Sequence, residues 1–491
     1  MLATIPVDIV YQIIQHLELV DAVPLLLTCK VLHQLATERN FWILSLNTAR
    51  TKSALRCPPN EYLGAFSLAK LQDIAASKLR LDRNWATARP RLVQPCTVKT
   101  KLPERTIIIH NVQGTDVLLL YALGSREVYC WDKREGRLFP GLEHKIAMEG
   151  VITSVSAPAD SDGRSCESVS LLVRSNTLSR TFRQFIITIR YEDGKAVSME
   201  HYSFGASKPP QAIQGIASLF FNADVSGCVS RDAQDNIWLS IAPRPKNEPE
   251  IAFQQVVNLH GDAERRMTCN FTYRGHIYNA REELQEDDVN KQPGVKILHV
   301  SRQMVQSGNY EQAYEASNLY RVAHDSDEGA EWEWAGPSIC FNLPTKPEYG
   351  ICALFVGVTE ATVDFTFVPC ALADAPDDDE GDDGVVSPLA FPHPLKVARV
   401  PGSLVNRTII WLDHSGCNAA TVIEGPNGVA LTLVRYHPGT ASGDPAWTSQ
   451  HQLEVPDDID LKQIRSCCID DSAGTVHLIT EEGDFFTLNY A

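Results

Sequence analysis

Short apolar strands recur along residues 96–491, and turns rich in Gly, Asp or Pro separate them. Examples are "RTIIIHN" at 105–111, "VSLLVR" at 169–174 and "VALTLVRY" at 429–436. Runs of β-branched and aromatic residues bounded by such turns predict β-strands. Roughly twenty or more strands at this spacing are more than a β-sandwich contains, whereas a β-propeller packs many four-stranded sheets against one another. We therefore predict an all-β propeller over residues 96–491.

A degenerate repeat supports this prediction. The segments "VSRDAQDNIWLSI" (229–241) and "IDDSAGTVHLIT" (469–480) both place an Asp-containing turn before an alternating strand. At about 40–45 residues per repeat, the segment holds about seven blades. We call the predicted architecture WD-repeat-like, but a single Trp-Asp pair, Trp131-Asp132, is not a WD-repeat signature. We expect Trp131 to be a core aromatic residue and Asp132 to form a turn. A propeller leaves no terminal edge open, so a strand near 97–111 should pair with the strand at 484–490.

Three stretches are predicted to be inserts in the propeller loops, because they are charged or Pro-rich and show no strand pattern. They lie near 280–294, 323–336 and 371–394. The third contains the acidic run "DAPDDDEGDD" at 374–383, which we interpret as a solvated loop.

The first fifty residues have a helical pattern. In "VDIVYQIIQHL" the apolar residues form two stripes, with Pro6 in the first turn and Asp8 near the positive end of the helix dipole. Asp21 is predicted to cap the next helix and Pro24 to lie in its first turn. Three short helices cannot bury this many apolar side chains among themselves. The surplus must therefore contact either the rest of this chain or another protein.

The stretch "LATIPVDIVYQIIQHLELVDAVPLLLTCKVLHQLATERNFW" (2–42) resembles an F-box. The matching features are the Ile5-Pro6 pair, the apolar helix pattern, the Thr28-Cys29-Lys30 sequence and the terminal Trp42. The resemblance implies a three-helix module that docks on the small adaptor subunit of a cullin–RING ubiquitin ligase. The residues that it suggests as anchors or supports of adaptor binding are Pro6, Ile9, Ile13, Leu17, Leu25, Cys29 and Trp42.

Residues 51–95 read as a helical linker, similar to the stalk that joins an F-box to a propeller in related receptors. Leu68, Leu71, Ile74 and Ala75 follow a helical period, and Pro90 and Pro95 end the segment. The predicted fold is thus α+β and multidomain, with an F-box-like helical module at 1–50, the linker at 51–95 and the propeller at 96–491.

Composition narrows the possible partners. The formal net charge of −17 argues against a nucleic-acid partner or an anionic membrane surface, since both select a basic face. The longest apolar runs are far shorter than the roughly 20 residues that span a bilayer. The thirteen cysteines include no C-x-x-C pair, which fits reduced thiols, and the opening residues do not read as a secretory signal. We therefore expect a cytoplasmic or nuclear protein without a membrane anchor.

No phosphate-binding, zinc-protease or nucleophile-elbow motif occurs, and the fourteen histidines are not spaced as metal ligands. The sequence therefore predicts no cofactor, no metal and no catalysis by this chain. The leading interpretation is a substrate receptor that links the ligase adaptor, and through it the cullin scaffold, to an unknown target protein. Two alternatives stay open: a propeller enzyme or small-ligand binder with a helical cap, and an F-box scaffold outside the ligase.

Overall fold

The structure of the chain is a computed structural model. It describes residues 5–58, 61–142, 145–155, 166–175, 182–206, 215–221, 225–231, 236–243, 250–251, 254–259, 268–273, 276–284, 293–310, 314–321, 331–338, 352–358, 361–369, 396–405, 411–412, 417–437 and 447–491.

The N-terminal part is helical. Residues 5–58 contain four α-helices, where the sequence predicted three; they are α1 (Val7–Ile14), α2 (Leu19–Leu25), α3 (Lys30–Gln34) and α4 (Arg39–Lys52). A 3₁₀ turn at Leu35–Thr37 extends α3, and another at Leu63–Ala65 precedes the long helix α5 (Leu68–Trp85). The fourth helix was missed because Phe41 and Trp42 look like the end of an apolar segment, whereas they lie in the first turn of α4.

The predicted cap of α2 is wrong. The helix begins after Glu18, so Asp21 lies inside its first turn, where the carboxylate still faces the positive end of the dipole. Pro24 lies in the last turn and not in the first. Pro24 has no N–H to donate to the carbonyl of Val20, and α2 ends at Leu25.

Strand β1 (Gln94–Lys101) follows α5. The strands of the described residues then form seven antiparallel sheets, which we call blades 1 to 7 in chain order. Blade 1 contains β2 (Thr106–Asn111), β3 (Val117–Ala122), β4 (Glu127–Asp132) and β5 (Arg137–Leu138), and β6 (Ile146–Ala147) also pairs with β4. Blade 2 contains β7 (Gly150–Val155), β8 (Cys166–Ser175), β9 (Phe182–Glu192) and β10 (Lys195–Ala206).

Blade 3 contains β11 (Gly215–Phe221), β12 (Val225–Arg231), β13 (Ile237–Pro243) and β15 (Gln254–Asn258). Between the last two, β14 (Glu250–Ile251) crosses over and pairs in parallel with β10 of blade 2. Blade 4 contains β16 (Thr268–Tyr273), β17 (His276–Leu284), β18 (Pro293–Val300) and β19 (Tyr314–Arg321), with helix α6 (Arg302–Ser307) before its last strand.

Blade 5 contains β20 (Glu331–Ser338), β21 (Cys352–Val358), β22 (Thr362–Pro369) and β23 (Lys396–Pro401). In blade 6, β24 (Ser403–Leu404) and β25 (Trp411–Leu412) both pair with β26 (Asn418–Gly425), and β27 (Gly428–His437) and β28 (Trp447–Gln452) follow. Blade 7 contains β29 (Ile464–Asp470), β30 (Thr475–Thr480) and β31 (Asp484–Asn489).

The blades form a closed ring. Contacts join β4 of blade 1 to β10 of blade 2. Further contacts join β7 to β11, β11 to β16, β16 to β20, β20 to β25 and β25 to β29, and β29 returns to β2. Strand β1 completes blade 7 by pairing antiparallel with β31, from Lys101 opposite Asp484 to Gln94 opposite Asn489. This pairing confirms the predicted closure, with the early strand at 94–101. A ring of radially repeated antiparallel sheets closed by its two ends is a β-propeller.

Strand β3 shows why these runs carry so few polar residues. All six of its residues are buried. Val117, Leu119 and Tyr121 belong to the core shared with blade 2, whereas Leu118 and Leu120 belong to the core shared with blade 7. Because alternate side chains of a strand point to opposite faces, a blade packed on both sides needs apolar residues at every position.

A buried ion pair also joins blades 1 and 7. The Nζ atom of Lys133, just after β4, lies 2.5 Å from Oδ2 of Asp470 at the end of β29 and 2.7 Å from Oδ1 of Asn111 at the end of β2. Oδ1 of Asp470 accepts hydrogen bonds from Ser472, through Oγ at 2.5 Å and the backbone N–H at 3.0 Å, and from the N–H of Ala473 at 3.1 Å. The lysine is 5% exposed and the aspartate 0%.

Two of the predicted inserts extend into blades. Residues 280–284 and 293–294 lie in β17 and β18, and residues 331–336 lie in β20. The charged residues in these segments suggested loops. They form strands because pairing with neighbours on both sides outweighs local propensity, as for β17, which lies between β16 and β18. Residues 285–292, 323–330 and the whole of 371–394 lie outside the described residues.

Candidate functional site

Helix α1 has two apolar stripes with different environments. Val10 and Ile14 are buried in the core of the helical module, at 5% and 0% exposure. Ile9 and Ile13 are 44% and 41% exposed. Each pair has i, i+4 spacing and therefore lies on one side of the helix. One stripe of α1 thus packs on the module, and the other faces solvent.

Helices α2 and α3 continue this pattern. Leu19, Ala22 and Leu32 are buried, whereas Val20, Leu27 and Val31 are exposed. Among the residues that the structure describes, eleven large hydrophobic side chains are exposed, and six of them lie between residues 7 and 31. We use the name apolar face for this set of exposed residues, although Val7 lies on the Val10 and Ile14 side of α1. The set is Pro6, Val7, Ile9, Ile13, Val20, Leu27 and Val31.

The predicted adaptor-binding residues fall into three environments: exposed, half-buried and, for Trp42, buried. Pro6, Ile9 and Ile13 are exposed. Leu17, Leu25 and Cys29 are half-buried and pack against the module core. The predicted role of these six residues in binding stays a prediction.

Trp42 is buried at 7% exposure. Its indole Nε1–H donates to the carbonyl oxygen of Ala36 at 2.9 Å, and its ring meets Phe41 edge-on at 5.0 Å. The same carbonyl accepts a hydrogen bond from Nε2 of Gln72 at 3.0 Å, which ties α5 to the 3₁₀ turn after α3. Trp42 therefore holds the helices together, and any effect on a partner is through their arrangement.

The sequence missed four residues of the apolar face: Val7, Val20, Leu27 and Val31. Leu27 is the most exposed, at 77%, although it belongs to an apolar run in which Leu26 is buried. It lies two residues beyond the end of α2, so helical periodicity does not assign it to a side. The run itself was the available signal, because three consecutive leucines cannot all point to one core.

Buried polar contacts stabilise the module below this face. Nη1 of Arg50 donates to the carbonyl oxygen of Glu61 at 3.0 Å, and Nη2 lies 3.1 Å from Sγ of Cys57. Burial raises the pKa of the Cys57 thiol, although the Arg50 guanidinium opposes this shift. Burial and the nearby Asp193 carboxylate also raise the pKa of Glu61. The Arg50 side chain therefore ties the loop between α4 and α5 to α4.

Helix α5 belongs to the module and to the propeller at once. Leu71, Ile74 and Ala75 are part of the module core. Leu81 and Trp85, further along the same helix, are part of the core of blades 6 and 7. All five lie within about a third of a turn of one another around the axis, given 3.6 residues per turn. One continuous apolar stripe of α5 therefore joins the two bodies.

The C-terminal end of α5 is fixed by specific contacts with the propeller. Nδ2 of Asn84 donates to the carbonyl oxygen of Tyr490 at 2.7 Å, and Nη1 of Arg435 donates to that of Trp85 at 3.3 Å. Gly474 lies so close that an added Cβ would be 2.5 Å from Cδ1 of Leu81.

A second contact lies on blade 1, where a Cβ on Gly114 would be 2.2 Å from the carbonyl carbon of Cys57. Gly114 is in the turn between β2 and β3, the first two strands of its blade. Gly474 is in the equivalent turn of blade 7. The module therefore sits on the propeller face formed by turns between the first and second strands, and two separated contacts prevent it from pivoting.

The described residues contain no group of three or more His, Cys, Asp or Glu side chains arranged to hold a metal ion. No single helix among them has the length and apolarity of a membrane span. Helix α2 and the segment Lys30–Thr37 pass that test only as a pair bent by 115°, which is weak evidence because buried helices pass it too, and Leu19, Ala22, Leu32 and Leu35 are buried in the module.

Comparisons with known proteins add little to this geometry. No family model matches the chain. No curated protein matches it either. A solved structure of similar shape is the WD40 domain of SCAP from fission yeast, at 10% identity and a TM-score of 0.34, covering 82% of this chain and 98% of that one. A likeness this distant carries no argument about function, so the propeller architecture rests on the seven closed sheets described above.

Proposed function

We propose that this chain is a substrate receptor of a cullin–RING ubiquitin ligase. The helices α1 to α3 bind the small adaptor subunit, and the propeller binds a target protein. The observation that carries the proposal is the exposure of Ile9 and Ile13 on α1, next to Pro6, in the segment that resembles an F-box. The protein acts where ligases of this class act, in the cytoplasm or nucleus.

The described part of the propeller leaves these side chains exposed. The module contacts it through α5 and the loop before α5, while Ile9, Ile13 and Leu27 remain 41–77% exposed. Full burial of an aliphatic side chain contributes about 1.5–3 kcal/mol, so a partner that covers several half-exposed ones gains several kcal/mol. Exposed apolar side chains concentrated on one small module are typical of a protein-binding surface.

The rigid attachment of the helical module to the propeller is suited to a substrate receptor. Two contacts on the propeller and the shared helix α5 set the distance between the apolar face and any target bound by the propeller. A rigid spacer of the right length maximises effective concentration, whereas a flexible one spreads it over many separations. In this proposal the chain catalyses no bond chemistry itself, and ubiquitin transfer is favoured because the target is held near the conjugating enzyme.

The mounting also suggests where the target binds. The module occupies the face at the Gln94 and Asn489 end of blade 7. At the opposite end of the blades lie the turns at 481–483 and 123–126, which are partly exposed. A target that binds this opposite face does not compete with the ligase adaptor for space.

Point variants test adaptor binding without disturbing the fold. Deletion of residues 1–50 is unsuitable, because it cuts α4 and uncovers Leu71 and Ile74. We expect Ile9→Asp and Ile13→Asp each to weaken binding of the co-expressed adaptor about 30-fold, since a buried anchor contributes about 2 kcal/mol. The matched control is Val93→Asp, another aliphatic side chain that is 54% exposed but lies at the start of the propeller.

Binding affinity is measured by titration calorimetry, and ubiquitination of bound proteins is measured in a reconstituted ligase. Adaptor binding that is lost in both α1 variants and kept in the Val93 variant supports the proposal. A protein that binds no adaptor refutes it in favour of a propeller enzyme or ligand binder with a helical cap. Adaptor binding without any ubiquitination of captured proteins refutes the ligase role in favour of a scaffold.

A further inference from the structure

The outer edge of strand β10 is mostly unpaired among the residues that the structure describes. This strand is the outermost strand of the blade 2 hairpins and, with twelve residues, the longest strand among those described. On its inner side it pairs with β9 along its whole length. On its outer side the described residues pair with it only at Gly205 and Ala206, where β14 adds in parallel.

The open part of this edge projects from the propeller. Glu200, His201, Tyr202 and Ser203 are all exposed, and Tyr202 is 50% exposed. Because successive residues of a strand point to opposite faces, four exposed residues in a row mean that neighbouring blades cover neither face here. A bulge lies just before this stretch, where the register shifts between Ala196 and Ser198. The regular open edge therefore runs from Ser198 to Phe204.

We propose that this edge binds an extended segment of a partner protein, which adds to blade 2 as an antiparallel strand. Alternate residues of an edge strand direct a backbone N–H and C=O outward, and an extended chain satisfies them best. The pairing of β14 with Gly205 and Ala206 shows that this edge accepts an added strand at its C-terminal end. The proposed binding site is the neighbouring part of the same edge, from Phe204 to Ser198, where the partner strand runs antiparallel to β10.

The side chains specify the partner further. Glu200 and Tyr202 are two residues apart after the bulge, so they lie on the same face of the strand. Opposite-charge pairs and aromatic pairs with β-branched residues stabilise directly opposed positions. The partner segment therefore carries a β-branched residue opposite Tyr202 and a Lys or Arg opposite Glu200. In antiparallel order this is an aliphatic residue followed two positions later by a basic one.

A second copy of this chain is a poorer occupant. Two antiparallel copies of one strand related by a two-fold axis oppose residues at equal distances from a central residue, which then opposes itself. The registers that overlap most of β10 are centred on Glu200 or His201. The first sets two glutamates against each other, and like charges directly opposite are destabilising. The second sets two histidines together and leaves Glu200 opposite Tyr202.

The probe is a capped peptide of sequence Val-Thr-Val-Glu-Lys-Thr-Thr, which sets Val opposite Tyr202 and Lys opposite Glu200 when its first residue opposes Phe204. Its binding to the full chain is measured by fluorescence anisotropy of a labelled peptide. Two versions carry N-methyl groups on alternate backbone amides, in the two possible phases. Only one phase removes the N–H groups that face β10, so only that version should lose binding.

Charge exchange gives the second test. In the Glu200→Lys variant we expect the probe to bind about fivefold more weakly, and the peptide with its Glu and Lys exchanged to bind more tightly than the probe. The control Asp457→Lys makes a similar charge change at an exposed carboxylate between blades 6 and 7 and should leave both affinities unchanged.

The proposal is overturned if the probe does not bind at about 1 mM, a weak limit for a single added strand. It is also overturned if both N-methylated peptides bind like the parent, or if the two lysine variants behave alike. A dimer that Glu200→Lys dissociates would assign the edge to a second copy instead. The inference is independent of the ligase role, because the probe binds the propeller whether or not the chain binds an adaptor.

Discussion

The ion pair between Lys133 and Asp470 should be one of the largest single contributions to propeller stability. At an effective dielectric constant of 20, two unit charges 2.5 Å apart attract by about 7 kcal/mol. Loss of solvation of both groups offsets much of this, and removal of one partner from a buried pair typically costs about 3–5 kcal/mol. We therefore expect Lys133→Met to lower the free energy of unfolding by about 3–5 kcal/mol, because it leaves the Asp470 carboxylate buried without a counter-charge.

The loss of stability in Lys133→Met should depend on pH, in a direction set by the pKa of the Asp470 carboxyl. Burial alone raises the pKa of the Asp470 carboxyl, but the Lys133 ammonium and the hydrogen bonds from Lys133 and Ser472 reverse this and lower it below its ordinary value. A lowered carboxyl pKa stabilises the folded state above the pKa of the unfolded chain, about 3.9, and the stabilisation is lost as pH falls below that value. Without Lys133, burial dominates and raises the pKa, so the variant takes up a proton on folding. The difference between wild type and variant should therefore shrink from pH 7.5 to pH 5.

Urea unfolding followed by tryptophan fluorescence measures both effects. The control is Lys101→Met, which removes an exposed lysine 3.2 Å from Asp484 and should change stability by less than about 1 kcal/mol. The double variant Lys133→Met with Asp470→Asn should recover much of the loss, because no buried charge remains. A loss below about 1 kcal/mol in Lys133→Met, or a difference that grows on acidification, would refute the reasoning.

Three further predictions concern single positions. Gly474→Ala should destabilise the protein by about 2 kcal/mol or more, and Gly308→Ala by about 1 kcal/mol, as compared by thermal unfolding. Both glycines have positive φ, but only at Gly474 would an added Cβ clash, since nothing lies within 4 Å of a Cβ at Gly308. Burial raises the pKa of Cys467 to about 12, so iodoacetamide at pH 7.5 should label the half-buried Cys29 well before Cys467, as read by mass spectrometry. Burial and the Lys133 charge lower the pKa of His477 to about 3, so protonation of this ring favours the unfolded chain. The neutral ring therefore stabilises the fold fully above a pH of about 6.5, and this stabilisation is lost as the pH falls toward 3. Urea unfolding should therefore show a smaller gap between wild type and His477→Gln at pH 5 than at pH 7.5.

Many strands of the propeller were predictable because blades packed on both sides need continuous apolar runs. Strand β3 is such a run, and its six buried residues stand out in the sequence. Strands with mixed composition were hidden. The alternating "EWEW" at 331–334 was assigned to a charged insert, yet it begins β20, of whose eight residues seven pair with β21. Its acidic residues suggested a loop, although alternation itself is a strand pattern.

The candidate site was predictable only in part. Helical period identifies α1 as apolar on two sides, but Val10 and Ile9 are equivalent in composition, and only the packing of α1 against α4 decides which is buried. Trp42 illustrates another limit: the resemblance predicts it as an anchor or a support of adaptor binding without saying which, and only the structure shows that its indole donates inward to Ala36. Side-chain hydrogen bonds of this kind depend on the tertiary arrangement and leave no trace in periodicity.

The shared helix α5 has a consequence for how the module can be perturbed. Its apolar stripe contacts the module through Leu71 and Ile74 and the propeller through Leu81 and Trp85, on one helix of eighteen residues, about 27 Å long. A substitution that loosens the module core therefore also changes how α5 seats on blades 6 and 7, so buried variants mix binding effects with folding effects. Exposed residues such as Ile9 and Leu27 lie outside both cores, and their substitution changes the exposed surface of the module alone. A loss of adaptor binding in those variants, at unchanged thermal stability, is thus the measurement that separates a docking module from a helical cap.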